Sequence, residues 1–201
     1  MEHTNILDLW QVSREELAEI ITAHPSLRGM VLGYLAEYKL RHLWFANHPQ
    51  ITNIVRYDNH DRTRKNDVAF TYRNIPITVE VKSLQTATVQ RTEQGYSGAA
   101  QCDASDRREV TLPSGRTIVT TCLLVGEFDL LAINCFEFEH EWQFAFIRNQ
   151  DLPRSNYRRY AAEDAQSLLK TLVRVQWPVQ PPFSDEPFQL LDQIVEEQMR
   201  A

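Results

Sequence analysis

Apolar and polar residues change their spacing repeatedly along the chain, and each change predicts a different element. Ser13 followed by Glu16 has capping-box spacing, in which each side chain takes a backbone N–H of the other residue. This predicts a helix over 13–23, interrupted at His24-Pro25. From Ser26 a longer helix is expected to about Phe45, with Leu27, Met30, Val31, Tyr34, Leu35 and Tyr38 recurring at threes and fours as a buried stripe. Glu37 lies beside that stripe. Past Pro49 the period becomes two, and ITNIVRYD, DVAFTYRN and ITVEVKSL read as three successive strands.

The polar stretch Gln85 to Ser105 carries Gly95 and Gly98 and reads as a loop or partly helical excursion. RREVTL and RTIVTT flank Pro113-Ser114-Gly115 as a hairpin. TTCLLVGEF reads as a short helix capped by Thr120 or Thr121, and DLLAINCFEF and WQFAFIRN as strands. A helix is expected over 161–173, then a proline-rich connector WPVQPPF and a final amphipathic helix FQLLDQIVEEQM. This order predicts an α/β or α+β fold. It is expected as a single domain over 1–201, with a core at about 26–150 and peripheral helices over 13–23 and 161–199.

Composition narrows the class. With 201 residues, 43% of them hydrophobic, the chain has enough apolar surface for one sizeable core. No run approaches the roughly 18 apolar residues of a membrane span, and a cytoplasmic location is the expectation. Cys102, Cys122 and Cys135 are widely spaced with no CxxC pair, which suggests packing residues rather than a disulfide framework or zinc site. A net charge of −6 argues against nonspecific coating of nucleic acid, although Arg56 to Arg73 and Arg148 to Arg159 are locally basic.

The candidate chemistry lies in PITVEVKSLQ, where Glu80 and Lys82 interrupt an apolar strand. A two-residue turn at Arg73-Asn74 pairs residues whose numbers sum to 147, so Asp67 opposes Glu80, and strand alternation puts Lys82 on the same face. Two adjacent carboxylates repel unless a cation or proton lies between them. Mg²⁺ is bound by one or two carboxylates with waters and phosphate oxygens, and it activates water for phosphoryl chemistry. Lys82 would supply a point charge for the water or phosphate. The alternative is an ion-pair cluster on a surface strand.

Asp58, His60 and Asp61 have the chemistry to ligate a metal but read as loop residues, and Glu127 and Asp129, before an apolar strand, read as a helix-to-strand junction, with a place near the site as the alternative. No HExxH, GxSxG or phosphate-loop lysine motif is present. In QCDASDRREV, the residues Gln101, Asp103, Ser105, Arg107 and Arg108 concentrate hydrogen-bonding groups suited to phosphates and base edges, or to a capped turn.

Asn66-Asp67 followed by Glu80-Val81-Lys82 resembles the signature of the PD-(D/E)XK nucleases, the restriction-endonuclease-like superfamily. The motif is split across a strand meander preceded by a helix bearing an acid, similar to that superfamily's core over about Leu27 to Arg148. Asn66 departs from the proline often found there. The resemblance implies a mixed central sheet flanked by helices and an Mg²⁺-dependent DNA endonuclease, with Mn²⁺ able to substitute. It implies Asp67, Glu80 and the Val81 carbonyl as metal ligands, Lys82 as the residue assisting water, and Glu37 as a supporting acid. DNA contacts are expected from Gln101, Arg107, Arg108, Arg64 and Lys65. A restriction or defence role is expected first. A repair or junction-resolving nuclease, or an inactive nucleic-acid-binding module of the same fold, are the alternatives. Double-strand cleavage calls for two sites, so a homodimer is also expected.

Overall fold

The computed structural model describes residues 5–56 and 67–200. The chain divides into two units, Met1–Leu35 and Ala36–Ala201. The first contains α1 (Ile6–Trp10), α2 (Arg14–Ala23) and most of α3 (Pro25–Leu40). The capping box at the start of α2 forms as its spacing predicts. The Ser13 hydroxyl accepts from the Glu16 N–H at 3.1 Å, and the Glu16 carboxylate accepts from the Ser13 N–H at 2.8 Å. The stripe on α3 is a correction. Met30 is 62% exposed, and Tyr34, Leu35 and Tyr38 are exposed with it. Ala36 and Leu40 are the buried residues of α3, and a π-helical turn, Arg41–Phe45, then buries Phe45. Periodicity identifies an apolar face but not whether anything covers it.

The second unit continues with β1 (Ile51–Arg56), β2 (Val68–Tyr72), β3 (Ile75–Ser83), β4 (Gln90–Thr92), β5 (Gly95–Gln101), β6 (Asp103–Thr111) and β7 (Thr117–Cys122). It then forms β8 (Leu130–Asn134), α4 (Phe136–Glu139), β9 (Phe144–Arg148), α5 (Ala162–Gln166), β10 (Leu172–Trp177) and α6 (Phe188–Arg200). The central sheet has the order β1-β2-β3-β8-β9. It is mixed, because β3 and β8 run parallel while its other pairs are antiparallel. The fold is therefore α+β, a mixed central sheet flanked by helices. A second sheet, β10-β5-β4, and the β6–β7 ribbon complete the strands.

Three expected elements differ. The excursion over Gln85–Ser105 is mostly strand, β4, β5 and the start of β6. Its Gly-Ala-Ala run lacks the β-branched and aromatic residues that mark strands. At Gly98 a Cβ would lie 3.1 Å from the Phe138 ring and 3.2 Å from Leu84, so the small residue admits close packing. Thr120 and Thr121 belong to β7 rather than capping a helix, and the helix expected over 161–173 is only Ala162–Gln166 before β10 begins. Nor is the C-terminal segment peripheral. α6 buries Leu190, Leu191, Ile194 and Val195 in the main core, against residues of β2, β3, β8 and β9.

The two faces of the sheet explain the charged strand. On one face the β3 row Ile77, Val79, Val81 joins Val68, Phe70 and Tyr72 of β2 beneath α6. On the other, Leu131 and Ile133 of β8 and Ala145 and Ile147 of β9 join a second apolar cluster with Leu123, Phe128 and Cys102. Glu80 pairs with Leu131 and Lys82 with Ile133 across the parallel ladder, so the charges share this second face with buried hydrophobes.

Candidate functional site

The β2–β3 hairpin turns at Arg73-Asn74, both with left-handed backbone at φ 47° and 67°. Two successive left-handed residues match the twist of paired strands. The register follows the sum of 147 from Tyr72↔Ile75 to Val68↔Val79. At Asp67 the ladder gives way to a side-chain bond. The Asp67 N–H donates to the Val79 carbonyl at 3.2 Å, and the Asp67 carboxylate accepts from the Val81 N–H at 2.7 Å. Asp67 thus sits just beyond β2, with its carboxylate anchored to β3.

Glu80 is a buried acid, 8% exposed, and Lys82 Nζ lies 2.7 Å from its Oε1. With Asp67, Asp103, Arg108 and Glu127 these residues line a cleft of about 200 Å³. Larger clefts lie elsewhere, but this one concentrates acids against a basic residue. Burial pushes the Glu80 carboxyl up to about 7; repulsion from Asp67 adds to the rise, and Lys82 opposes it. Asp67 is raised as well, first by burial and against the pull of Lys82 and the Val81 N–H. For Lys82 burial acts downward, but Glu80 and Asp67 outweigh it and hold the ammonium above its ordinary value.

The remaining expected residues divide by position. Glu37 forms an ion pair with Arg56 at 3.0 Å, and burial raises its carboxyl against the effect of that arginine. Its charge reaches Asp67 and Glu80 electrostatically. The Val81 side chain packs in the main core. Arg108 lines the cleft, where its guanidinium holds Glu127 in a two-pronged ion pair and donates to the Cys122 carbonyl at 3.2 Å. Gln101, exposed at the end of β5, donates to Asp103 at 3.0 Å and accepts from Gln85 at 2.8 Å. Arg107 lines a different cleft. Arg64 and Lys65, with Asp58, His60 and Asp61, lie outside the described residues.

Glu127, for which the sequence favours a helix-to-strand junction over a place near the site, lines the cleft. Its carboxylate also accepts from the Leu124 N–H at 2.8 Å, so it organises the turn entering β8 as well as anchoring Arg108. Pairing across 19 positions leaves no periodic signal. Asp129 instead accepts from the Thr78 N–H and hydroxyl at 2.8 and 2.7 Å and joins β3 to β8. All three cysteines are buried and free. Burial pushes the Cys102 and Cys135 thiols up to about 12, which suits packing rather than nucleophilic roles.

A buried carboxylate, Glu80, beside the half-buried carboxylate of Asp67 is a fitting donor set for a hard divalent cation that keeps several waters. Among the described residues no group of three His, Cys, Asp or Glu side chains forms a ready cage, so water and substrate oxygens would complete the shell.

No family model and no curated protein matches the chain. Among solved structures it is similar to a bacterial homing endonuclease, I-Ssp6803I, at 15% identity and a TM-score of 0.33, over 68% of this chain and 85% of that one. At that level the functional reading has to come from the site residues. No helix among the described residues is long and apolar enough to cross a membrane.

Proposed function

We propose that the chain is an Mg²⁺-dependent DNA endonuclease of the PD-(D/E)XK type, with Mn²⁺ able to substitute. The observation that carries this reading is the meeting of Asp67, Glu80 and Lys82 at one end of β3, where burial and mutual repulsion leave the carboxylates short of positive charge. Asp67 and Glu80 would hold the ion, with the Val81 carbonyl beside them; the ion would supply a water of lowered pKa and neutralise charge on the scissile phosphate.

The chain's own residues supply the rest. Lys82, paired with Glu80 at 2.7 Å, would present its ammonium to the attacking water or a phosphate oxygen. Asp67, fixed through the Val81 N–H, holds its donor oxygens in place. Glu37, tethered to Arg56, biases the local field from α3 without entering the cleft lining. Arg108 is held by Glu127 at the cleft wall, placed to meet a phosphate. A restriction or defence role is the proposed setting, acting as a homodimer if both strands are cut.

The test incubates purified protein with supercoiled, linear and branched DNA in Mg²⁺ or EDTA, alongside Glu80→Ala and Lys82→Ala variants checked for folding by circular dichroism. Metal-dependent nicking or cleavage that is lost in both variants is expected. Cleavage that survives both changes would sink the assigned centre.

A further inference from the structure

The β6–β7 ribbon walls a second cleft, of about 670 Å³, on which Arg107, Arg158, Arg159 and Lys170 border together with Tyr157 and Tyr160. Successive residues of a strand point to opposite faces, so Arg108 serves the carboxylate cleft while Arg107 serves this one. The clefts also meet through a hydrogen bond, because Arg108 donates to the carbonyl of Cys122, a residue of the second wall.

The lining has two chemical parts. The first is cationic: among the described residues, none of Arg107, Arg158, Arg159 or Lys170 has a carboxylate within ion-pair distance. This is a local excess of positive charge in a chain of net charge −6. Arg108 and Arg116, by contrast, are paired with Glu127 and Asp164. The second part is aromatic. Tyr157 is 53% exposed, and its ring meets Tyr160 edge-on at 5.4 Å, with the Arg159 guanidinium 6.0 Å from its centroid. Tyr160 is anchored by a 2.7 Å hydrogen bond between its hydroxyl and that of Thr120. The outer ring is thus presented from a fixed base.

Unpaired cations beside an exposed aromatic face fit phosphates together with an unstacked base. Arginine and lysine neutralise the backbone, and an aromatic ring stacks on any base whose face is free. In a duplex the base faces are already stacked, so duplex DNA would engage the cations and leave Tyr157 without a role.

We propose that this cleft binds unpaired nucleotides of a DNA strand, phosphates on Arg107, Arg158, Arg159 and Lys170 and a base on Tyr157. The binding claim stands on this cleft alone. Its extension, that the preferred substrate carries a single-stranded flank beside the cleavage point, rests on the nuclease reading above.

The experiment measures fluorescence anisotropy of labelled DNA in EDTA with the full chain, so that cleavage plays no part. The probes are a single-stranded oligonucleotide and a blunt duplex of the same sequence. The single strand is expected to bind at least about tenfold tighter than the duplex. Tyr157→Ala should weaken single-strand binding on the order of tenfold while Tyr157→Phe restores it. A joint Arg158→Glu, Arg159→Glu variant should weaken both probes and flatten the salt dependence. Equal or tighter duplex binding, with Tyr157→Ala matching the unmodified protein, would overturn the proposal. Single-strand binding of the expected kind by a protein that cuts no DNA in Mg²⁺ would refute the nuclease reading and leave this site standing.

Discussion

Glu80 sets the energetics of the site. Its carboxyl is held near 7 in the folded protein against an ordinary value of 4.5, so the folded state binds a proton that the unfolded state has already released. That contribution to stability is complete below the ordinary value and is lost as pH rises through about 7. In EDTA the thermal midpoint should therefore fall between about pH 5 and about pH 8, and Glu80→Gln should flatten the fall. A slope in the Glu80→Gln variant equal to that of the unmodified protein would assign the titration to another group. A second residue-scale prediction concerns Arg108. Arg108→Ala removes the two-pronged ion pair with Glu127, whose side chain is 7% exposed, and should cost about 1.5–3 kcal/mol by urea denaturation. In a double-mutant cycle with Glu127→Gln the two losses should be less than additive, because both changes remove the same ion pair. Asp67, Glu80 and Lys82 were legible as candidates because strand alternation and hairpin pairing are local rules. Glu127 was legible only as an acid before an apolar strand, because it meets Arg108 through a turn that neither rule describes.

At the scale of elements, local signals and tertiary outcomes part company. The α2 capping box and the β2–β3 register follow from a few adjacent residues, and both form as their spacing predicts. The α3 stripe and the residues after Ala161 do not. Burial of Met30 and Tyr34 depends on what packs over them, and Leu172–Trp177 becomes a strand because β5 lies alongside to pair with it. The Gly-Ala-Ala run of β5 likewise has no sequence mark of a strand until its neighbours are known. These assignments make α6, rather than the exposed face of α3, the helix that carries stability. Leu191→Ala, at a fully buried position, should cost about 2–5 kcal/mol, whereas Met30→Ala should stay within about 0.5 kcal/mol. Chemical denaturation of the two variants side by side checks the contrast, and equal losses would mean that the Met30 face is covered.

Across the molecule, the mixed sheet supports a division of labour between its two faces. One carries the main apolar core under α6. The other gives up part of its packing to a charged row on β3, enclosed by β6, Leu123 and the turn entering β8. Such a row costs stability on its own and is compensated when something of opposite charge enters. A cation that binds only the folded state stabilises it by mass action, by about 2.7 kcal/mol at a hundredfold excess over its dissociation constant. Mg²⁺ should therefore raise the thermal midpoint, with the largest gain above about pH 7, where the cation no longer competes with a proton on Glu80. The most direct test of the cation centre is isothermal titration of Mg²⁺ or Mn²⁺ into the metal-free protein and its Asp67→Asn variant at about pH 8. The account predicts a saturable binding heat in the unmodified protein that disappears in the variant, with the fold retained. The same heat in both proteins, or none in either, would contradict it.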